Sequence, residues 1–112
     1  MSYRVLSTSN FGKQVKQLVK KYPSLASDLK KLKLILEANP RTGISLGKDC
    51  YKVRIRISSK GKGKSGGGRV ITYVKIKPQT IYLLAIYDKS ERETLSIKEL
   101  QYLLDILSSE LL

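Results

Sequence analysis

The chain has 112 residues, enough for one domain around a single core, and its 22 Lys and Arg against nine Asp and Glu give a formal charge of +13. A hydrophobic share of 41% excludes intrinsic disorder, and a charge of that size is the footprint of a protein that meets a polyanion. One cysteine excludes an internal disulfide framework, and the lack of histidine removes the usual general base and the usual metal ligand.

Tyr3 to Leu6 has the aromatic and β-branched character of a short edge strand. Thr8, Ser9 and Asn10 are good N-cap residues, and Phe11, Val15, Leu18, Val19 and Tyr22 then fall on one helical face opposite Lys13, Lys16, Lys20 and Lys21. Pro23 is expected to stop that helix and to sit in the first turn of the next. The second helix carries Leu25, Leu29, Leu32 and Leu36 as an apolar stripe, and Asn39-Pro40 ends it. Two amphipathic helices with almost no linker form a hairpin that must bury its stripe on a sheet.

From Asp49 onward the pattern changes period. Tyr51, Val53, Ile55 and Ile57 alternate with Lys52, Arg54, Arg56 and Ser58, as in a half-buried strand. A second strand begins at Arg69, with Arg69, Ile71, Tyr73 and Lys75 on one side. Pairing the two as a hairpin sets Arg69 and Tyr73 on the face of Lys52, Arg54 and Arg56. No acidic residue occurs from Cys50 through Tyr87, while Lys52, Arg54, Arg56, Lys60, Lys62, Lys64 and Arg69 all fall there. That cationic face is the expected working surface, against the plainer reading of a solvated face that keeps the protein soluble.

Pro78-Gln79 makes a turn, and Thr80 to Tyr87 is apolar at nearly every position, as in a strand covered on both faces. Ser96 and Glu99 have capping-box spacing, Leu95 and Leu100 that of a hydrophobic staple, and Leu100, Leu103, Leu104, Leu107 and Leu111 supply the stripe of a last helix. The expected order is β-α-α-β-β-β-α: a single α+β domain over residues 1–112, with a small, mainly antiparallel sheet, an N-terminal helical hairpin and a C-terminal helix.

Most enzyme chemistries fail on the residues. The loop Gly61 to Gly68 contains Gly63-Lys64-Ser65, but Ser58 stands where a phosphate loop needs glycine, and the loop runs into a strand instead of opening a helix. It reads as a flexible hairpin connection or a mobile basic arm on a nucleic-acid backbone. Asp49, Cys50 and Asp88 make no metal-ligand constellation, and Cys50 has no histidine to activate it. No apolar run approaches the roughly 20 residues that span a bilayer, and the first ten residues lack the apolar segment of a signal peptide. The chain therefore reads as cytoplasmic, with no membrane contact. What remains is phosphoryl chemistry by cations, for which RNA supplies its own 2′-OH nucleophile.

The order of elements, the Asn39-Pro40…Gly43 turn, the segment Asp49 to Arg56 and the run Arg69-Val-Ile-Thr-Tyr73 together resemble the RelE/ParE superfamily of bacterial toxins, over essentially the whole chain. The resemblance implies the toxin of a type II toxin–antitoxin pair. In the RelE branch such toxins are metal- and cofactor-independent endoribonucleases that cut mRNA in the ribosomal A site, and an acidic antitoxin wraps and neutralises them. The expected partners are thus a cognate acidic antitoxin, the ribosome and mRNA.

Carried onto this chain, the resemblance makes Lys52, Arg54, Arg69 and Lys89 the catalytic candidates. Arg56, Lys60, Lys62, Lys64, Tyr73, Tyr87 and Arg92 are the RNA-binding ones, with both tyrosines equally readable as sheet packing. The chain departs from the family's pattern at Arg54, where the ribonucleases often carry lysine, and at Ser90, where they carry arginine; Lys89 and Arg92 flank that position. Thr94 to Ile97 lacks the family's stacking tyrosine. The alternative readings are a ParE-like toxin that binds DNA gyrase without cleaving, and an inactive basic nucleic-acid-binding module.

Overall fold

The structure is a computed structural model that describes residues 3–61, 66–92 and 94–111. It has five strands, β1 (Arg4–Ser7), β2 (Ile44–Gly47), β3 (Cys50–Ile55), β4 (Gly68–Lys75) and β5 (Thr80–Asp88). Among the described residues the helices are α1 (Ser9–Lys21), α2 (Leu25–Ala38) and α3 (Ile97–Leu111), and a 3-10 turn spans Ser58–Lys60. The α+β class and the mainly antiparallel sheet agree with the sequence reading. One strand more is present, because β2 is only four residues long and largely exposed, so it leaves no apolar alternation to read.

The sheet runs β1-β5-β4-β3-β2, with β1 parallel to β5 and the other pairs antiparallel. Its two faces make two cores. On one, Phe11, Leu25, Leu32 and Leu36 of the helical hairpin pack on Val53, Ile55, Val70, Val74, Ile81, Leu83 and Ile86. On the other, Leu100 and Leu107 of α3 cover Cys50, Ile71, Tyr82, Leu84, Ala85 and Tyr87. β5, flanked by β1 and β4, is buried at every position, which is why its sequence lacks alternation. A bulge opposite Ile71 and Thr72 lets Leu84 and Ala85 both serve the α3 core.

Local signals act largely as expected. Thr8 caps α1 by accepting from the Phe11 amide. Ser96 and Glu99 exchange both capping-box hydrogen bonds at 3.1 Å. Pro23, however, lies between α1 and α2, and Ser24 is the N-cap, so the proline separates the helices instead of opening the second. At the far end of the α3 stripe Leu111 is exposed.

β1 pairs with β5 only from Thr80 to Leu83, although β5 continues to Asp88. Side chains of α1 take over the open edge. Thr8 Oγ1 donates to the Leu83 carbonyl at 2.9 Å, Asn10 Nδ2 to the Leu84 carbonyl at 2.9 Å, and Gln14 Oε1 accepts from the Ile86 amide at 2.9 Å. A helix thereby satisfies backbone groups that a fifth and sixth residue of β1 would otherwise meet.

The β2–β3 hairpin turns through Lys48 and Asp49, both left-handed at φ 55° and 60°. Two consecutive left-handed residues are the geometry of a type I′ turn, which favours glycine at its second position. Asp49→Gly is therefore expected to stabilise the protein by about 1 kcal/mol, read as a rise in the thermal unfolding midpoint. An unchanged or lowered midpoint would show that the Asp49 side chain contributes more than the backbone strain costs.

Candidate functional site

The cationic face is built by register. Arg54 on β3 stands opposite Arg69 on β4, and Arg69 stands opposite Tyr87 on β5, so the three form one row across the sheet. Lys52, paired with Ile71, lies two residues along on the same face. Neighbouring strands sit about 4.8 Å apart, so the row spans about 10 Å on rigid backbone.

The members differ sharply in exposure. Arg54 and Arg56 are exposed and Lys52 is half-buried, as the alternation requires. Arg69, expected as an exposed cation beside them, is only 1% exposed, and its guanidinium donates to the Gly68 carbonyl at 3.0 Å. It is therefore enclosed by the fold, not presented on the surface beside Arg54. Tyr87 is buried, with the Arg92 guanidinium 5.5 Å from its ring centroid. Tyr73 is half-buried and stacks on Tyr82 with centroids 6.2 Å apart, so here it packs the sheet.

Lys60 is not part of a mobile arm. Its ammonium pairs with Asp88 at 2.6 Å and lies 5.4 Å from the Tyr22 ring centroid, and its side chain is 8% exposed. Tyr22 donates to the other oxygen of Asp88, and the Ser90 amide donates to Oδ1 at 2.9 Å. The turn before Lys60 is fixed as firmly. Asp28 accepts from the Ser58 amide at 3.0 Å and the Ser58 hydroxyl at 2.7 Å, and Ser24 bridges to it at 2.8 Å. Lys62 and Lys64 lie outside the described residues. Beyond them Gly67 returns so close to β3 that a Cβ there would stand 2.1 Å from the Ile55 carbonyl oxygen.

The arrangement around Asp88 sets its titration. Burial favours the neutral acid, but the Lys60, Tyr22 and Ser90 hydrogen bonds outweigh it and hold the carboxyl well below the usual carboxylate range. Asp28 is also lowered, since its hydrogen bonds from Ser58 and Ser24 overcome the opposing effect of burial. Burial pushes the Cys50 thiol up to about 11, so it is no thiolate nucleophile near neutral pH. Among the described residues no group of three or more Cys, Asp or Glu could hold a metal ion, and none of the helices described is long and apolar enough to cross a membrane.

Where β1 stops short of β5, a cleft of about 460 Å³ opens between α1 and α3. Tyr87 forms its inner end, next to the cationic row. Arg92 and Glu99 frame it through a two-pronged ion pair at 2.7 and 2.5 Å, which holds the Glu99 carboxyl at about 2. Tyr102, one turn on from Glu99 on the same helix, also lines the cleft and is 65% exposed. Lys89 is exposed on the turn after β5, its amide bonded to the Gly67 carbonyl at 3.1 Å, and Ser90 is exposed beside it. The register thus brings together Lys52, Arg54, Arg69 and Tyr87, and the cleft adds Arg92. Tyr73 and Lys60 are engaged in packing and pairing elsewhere.

Sequence reasoning did not single out Tyr102, Asp88 or the Arg92–Glu99 pair. Tyr102 carried a legible signal, an aromatic off the apolar stripe of an amphipathic helix. Asp88 carried none, since only the fold encloses it.

A profile described as "RelE toxin of RelE / RelB toxin-antitoxin system" matches residues 4–111. Among solved structures, the chain is similar to a free-state structure of an arginine-to-alanine double variant of the E. coli toxin RelE, with a TM-score of 0.58 and 19% identity, covering 83% of this chain and 90% of that one. At that identity the likeness concerns the fold.

Asp88→Asn leaves the Lys60 ammonium buried without its counter-charge and is expected to destabilise the protein by about 3–5 kcal/mol in chemical unfolding. Because the folded-state pKa of Asp88 is depressed, its contribution is present above the unfolded value of about 4 and is lost as pH falls below it. Unfolding free energy of the wild type should therefore drop steeply below about pH 4, and the variant should show a shallower slope. Parallel slopes would remove Asp88 as the origin of acid sensitivity.

Proposed function

This chain belongs to the RelE toxin family, the toxin of a toxin–antitoxin pair, and we propose that it inhibits translation as a ribosome-dependent endoribonuclease acting on mRNA. The observation that carries this reading is the row Arg54–Arg69–Tyr87 with Lys52 beside it on one rigid face. An RNA strand resting on Arg54, the exposed end of the row, supplies the 2′-OH, which attacks the adjacent phosphorus. The 2′-OH gives up its proton to a base as the 2′-O–P bond forms, the P–O5′ bond breaks to leave a 2′,3′-cyclic phosphate, and the leaving 5′ oxygen takes up a proton in turn. Cationic side chains stabilise the extra negative charge on the phosphoryl oxygens in the transition state.

Exposure assigns the roles. Arg54 is the cation that can touch the phosphate directly, with Arg69 beneath it adding positive potential. Lys52 is the one of these three able to give up and regain a proton, because arginine stays charged. Arg92, braced by Glu99, stands at the end of the row nearest Ser90, where Lys89 is also exposed. No metal or organic cofactor enters this scheme.

A second reading draws on the burial of Arg69. A toxin that only binds its target, as the gyrase-poisoning branch does, has no need of that guanidinium at the surface. Induced expression in bacteria, with primer extension on an abundant mRNA, separates the two. Arg54→Ala should lower cleavage within translated codons by about 10²–10³-fold with ribosome binding little changed. Growth arrest with intact mRNA would favour the non-cleaving toxin.

The acidic antitoxin has a matching surface in this reading. Leu32, Ile35 and Val53 line a groove of about 230 Å³ between α2 and β3, and Lys31, Arg54 and Arg56 border it. An acidic segment carrying apolar side chains fits such a groove. Log affinity of the toxin for single-stranded RNA should fall with log salt at about −0.7 per phosphate neutralised, and the antitoxin should co-purify from a two-gene expression. A flat salt response would overturn the polyanion reading.

A further inference from the structure

The Lys60–Asp88 pair is shut away from solvent, with side chains 8% and 0% exposed, so neither residue can grip an RNA strand resting on Arg54. Taking two charges out of water is costly, and a buried pair is weak evidence of a gain in stability alone. What the pair holds in place is more telling.

Its hydrogen bonds converge on the turn that follows β5. Asp88 Oδ1 accepts from the Ser90 amide at 2.9 Å, and the Asp88 carbonyl accepts from the Glu91 amide at 3.0 Å, so the turn 88–91 is closed twice over. The Lys60 ammonium, besides its bond to Oδ1 at 2.6 Å, donates to the Gly67 carbonyl at 3.4 Å. That same carbonyl accepts from the Lys89 amide at 3.1 Å. Gly67 has no room to yield toward β3, where even a Cβ would stand 2.1 Å from the Ile55 carbonyl oxygen. The backbone of Lys89 is thus fixed on both sides, while its side chain is exposed.

Register sets this turn beside the cationic row. Gly68 pairs with Ile55 and with Asp88, one step along from Arg54–Arg69–Tyr87, and a strand advances about 3.3 Å per residue. The other cation of the turn, Arg92, has its guanidinium committed to Glu99 through two hydrogen bonds and lies over the Tyr87 ring. Lys89 is therefore the one presented to solvent next to Ser90.

We infer that the buried Lys60–Asp88 pair is a positioning device for Lys89, holding the turn 88–91 so that this ammonium meets a phosphate of the strand bound on Arg54. The inference rests on the RNA reading given above. Lys60 and Asp88 act through Lys89 and touch no substrate. A long lysine side chain loses rotamer freedom when it grips a phosphate, and a backbone fixed in advance keeps that loss from growing.

The test measures binding of the full chain to single-stranded oligouridine across a range of salt concentrations. Asp88→Asn removes a negative charge, so simple electrostatics predicts tighter binding. Positioning predicts the opposite: weaker binding and a salt slope shallower by about 0.7, the change that Lys89→Ala itself should give. Because Asp88→Asn leaves Lys60 buried without its counter-charge, the titration is repeated with Lys60→Met/Asp88→Leu, which replaces the pair by apolar side chains and keeps the net charge at +13. Both are read at a temperature at which circular dichroism shows them folded. The double variant should bind as Lys89→Ala does, and adding Lys89→Ala to it should change the slope no further. A merely structural role would leave the full effect of Lys89→Ala in that background.

A wild-type slope in folded Lys60→Met/Asp88→Leu, or an undiminished Lys89→Ala effect within it, would overturn the positioning role and leave the RNA reading standing. A wild type whose binding ignores salt would overturn both. The expected slopes together with intact translated mRNA would support the positioning role and overturn the nuclease reading.

Discussion

One buried carboxylate holds together the parts of the molecule that border the cationic row. Asp88 ends β5, and its two oxygens gather Lys60 from the 3-10 turn, Tyr22 from the end of α1 and the amide of Ser90 from the turn that follows. Its backbone carbonyl in addition accepts from Glu91 and Arg92. A buried charge is costly unless its lone pairs are met by donors and a counter-charge, and here all are supplied. Elements distant in sequence therefore meet at one point with little freedom to shift. With Asp28 fixing the same turn to α2, the basic loop has its entry anchored before it leaves the sheet.

That anchoring explains how a strongly basic chain keeps its cations in order. Like charges on adjacent strands repel, and Arg54 opposite Arg69 is such a pair. The sheet tolerates it because the register is fixed on the other face by Val53 against Val70 and Ile55 against Gly68, inside the helical core. Slipping β3 by one residue would turn Arg54 into that core. Hydrophobic packing on one side thus enforces charge crowding on the other. The cations belong to the sheet and the near-neutral cleft to its open edge.

Much of this was legible in the sequence, for identifiable reasons. The alternation of Val53, Ile55 and Ile57 with Lys52, Arg54 and Arg56 depends only on the two-residue period of a strand, and the α2 stripe only on helical pitch. Thr8 and the Ser96–Glu99 box are local chemistry and act as such. The features not legible depend on contacts between distant segments. Lys60 reads as an arm until Asp88 lies against it, and Arg69 reads as exposed until the fold encloses it. β2 is short and solvated, and Pro23 fell two residues before the helix it was expected to open. The site is thus half visible: the residue types and their shared face follow from the pattern, while their exposure and the cleft follow from packing.

The hydrogen bonds from α1 to the open edge of β5 join residues far apart along the chain; Thr8 and Leu83 are separated by 75 positions. Contacts of that span form late, after the intervening chain has closed a large loop against its entropy. On a ribosome adding about 5–20 residues per second, roughly 4–15 s separate the synthesis of the two partners. Until β5 emerges, α1 and α2 have half a sheet to cover, β1 has no strand to pair with, and the Asp88 cluster does not exist. The cationic row lacks its third member for the same interval. Assembly of the row is therefore a late event in the making of this protein, and a newborn chain spends its first seconds without one.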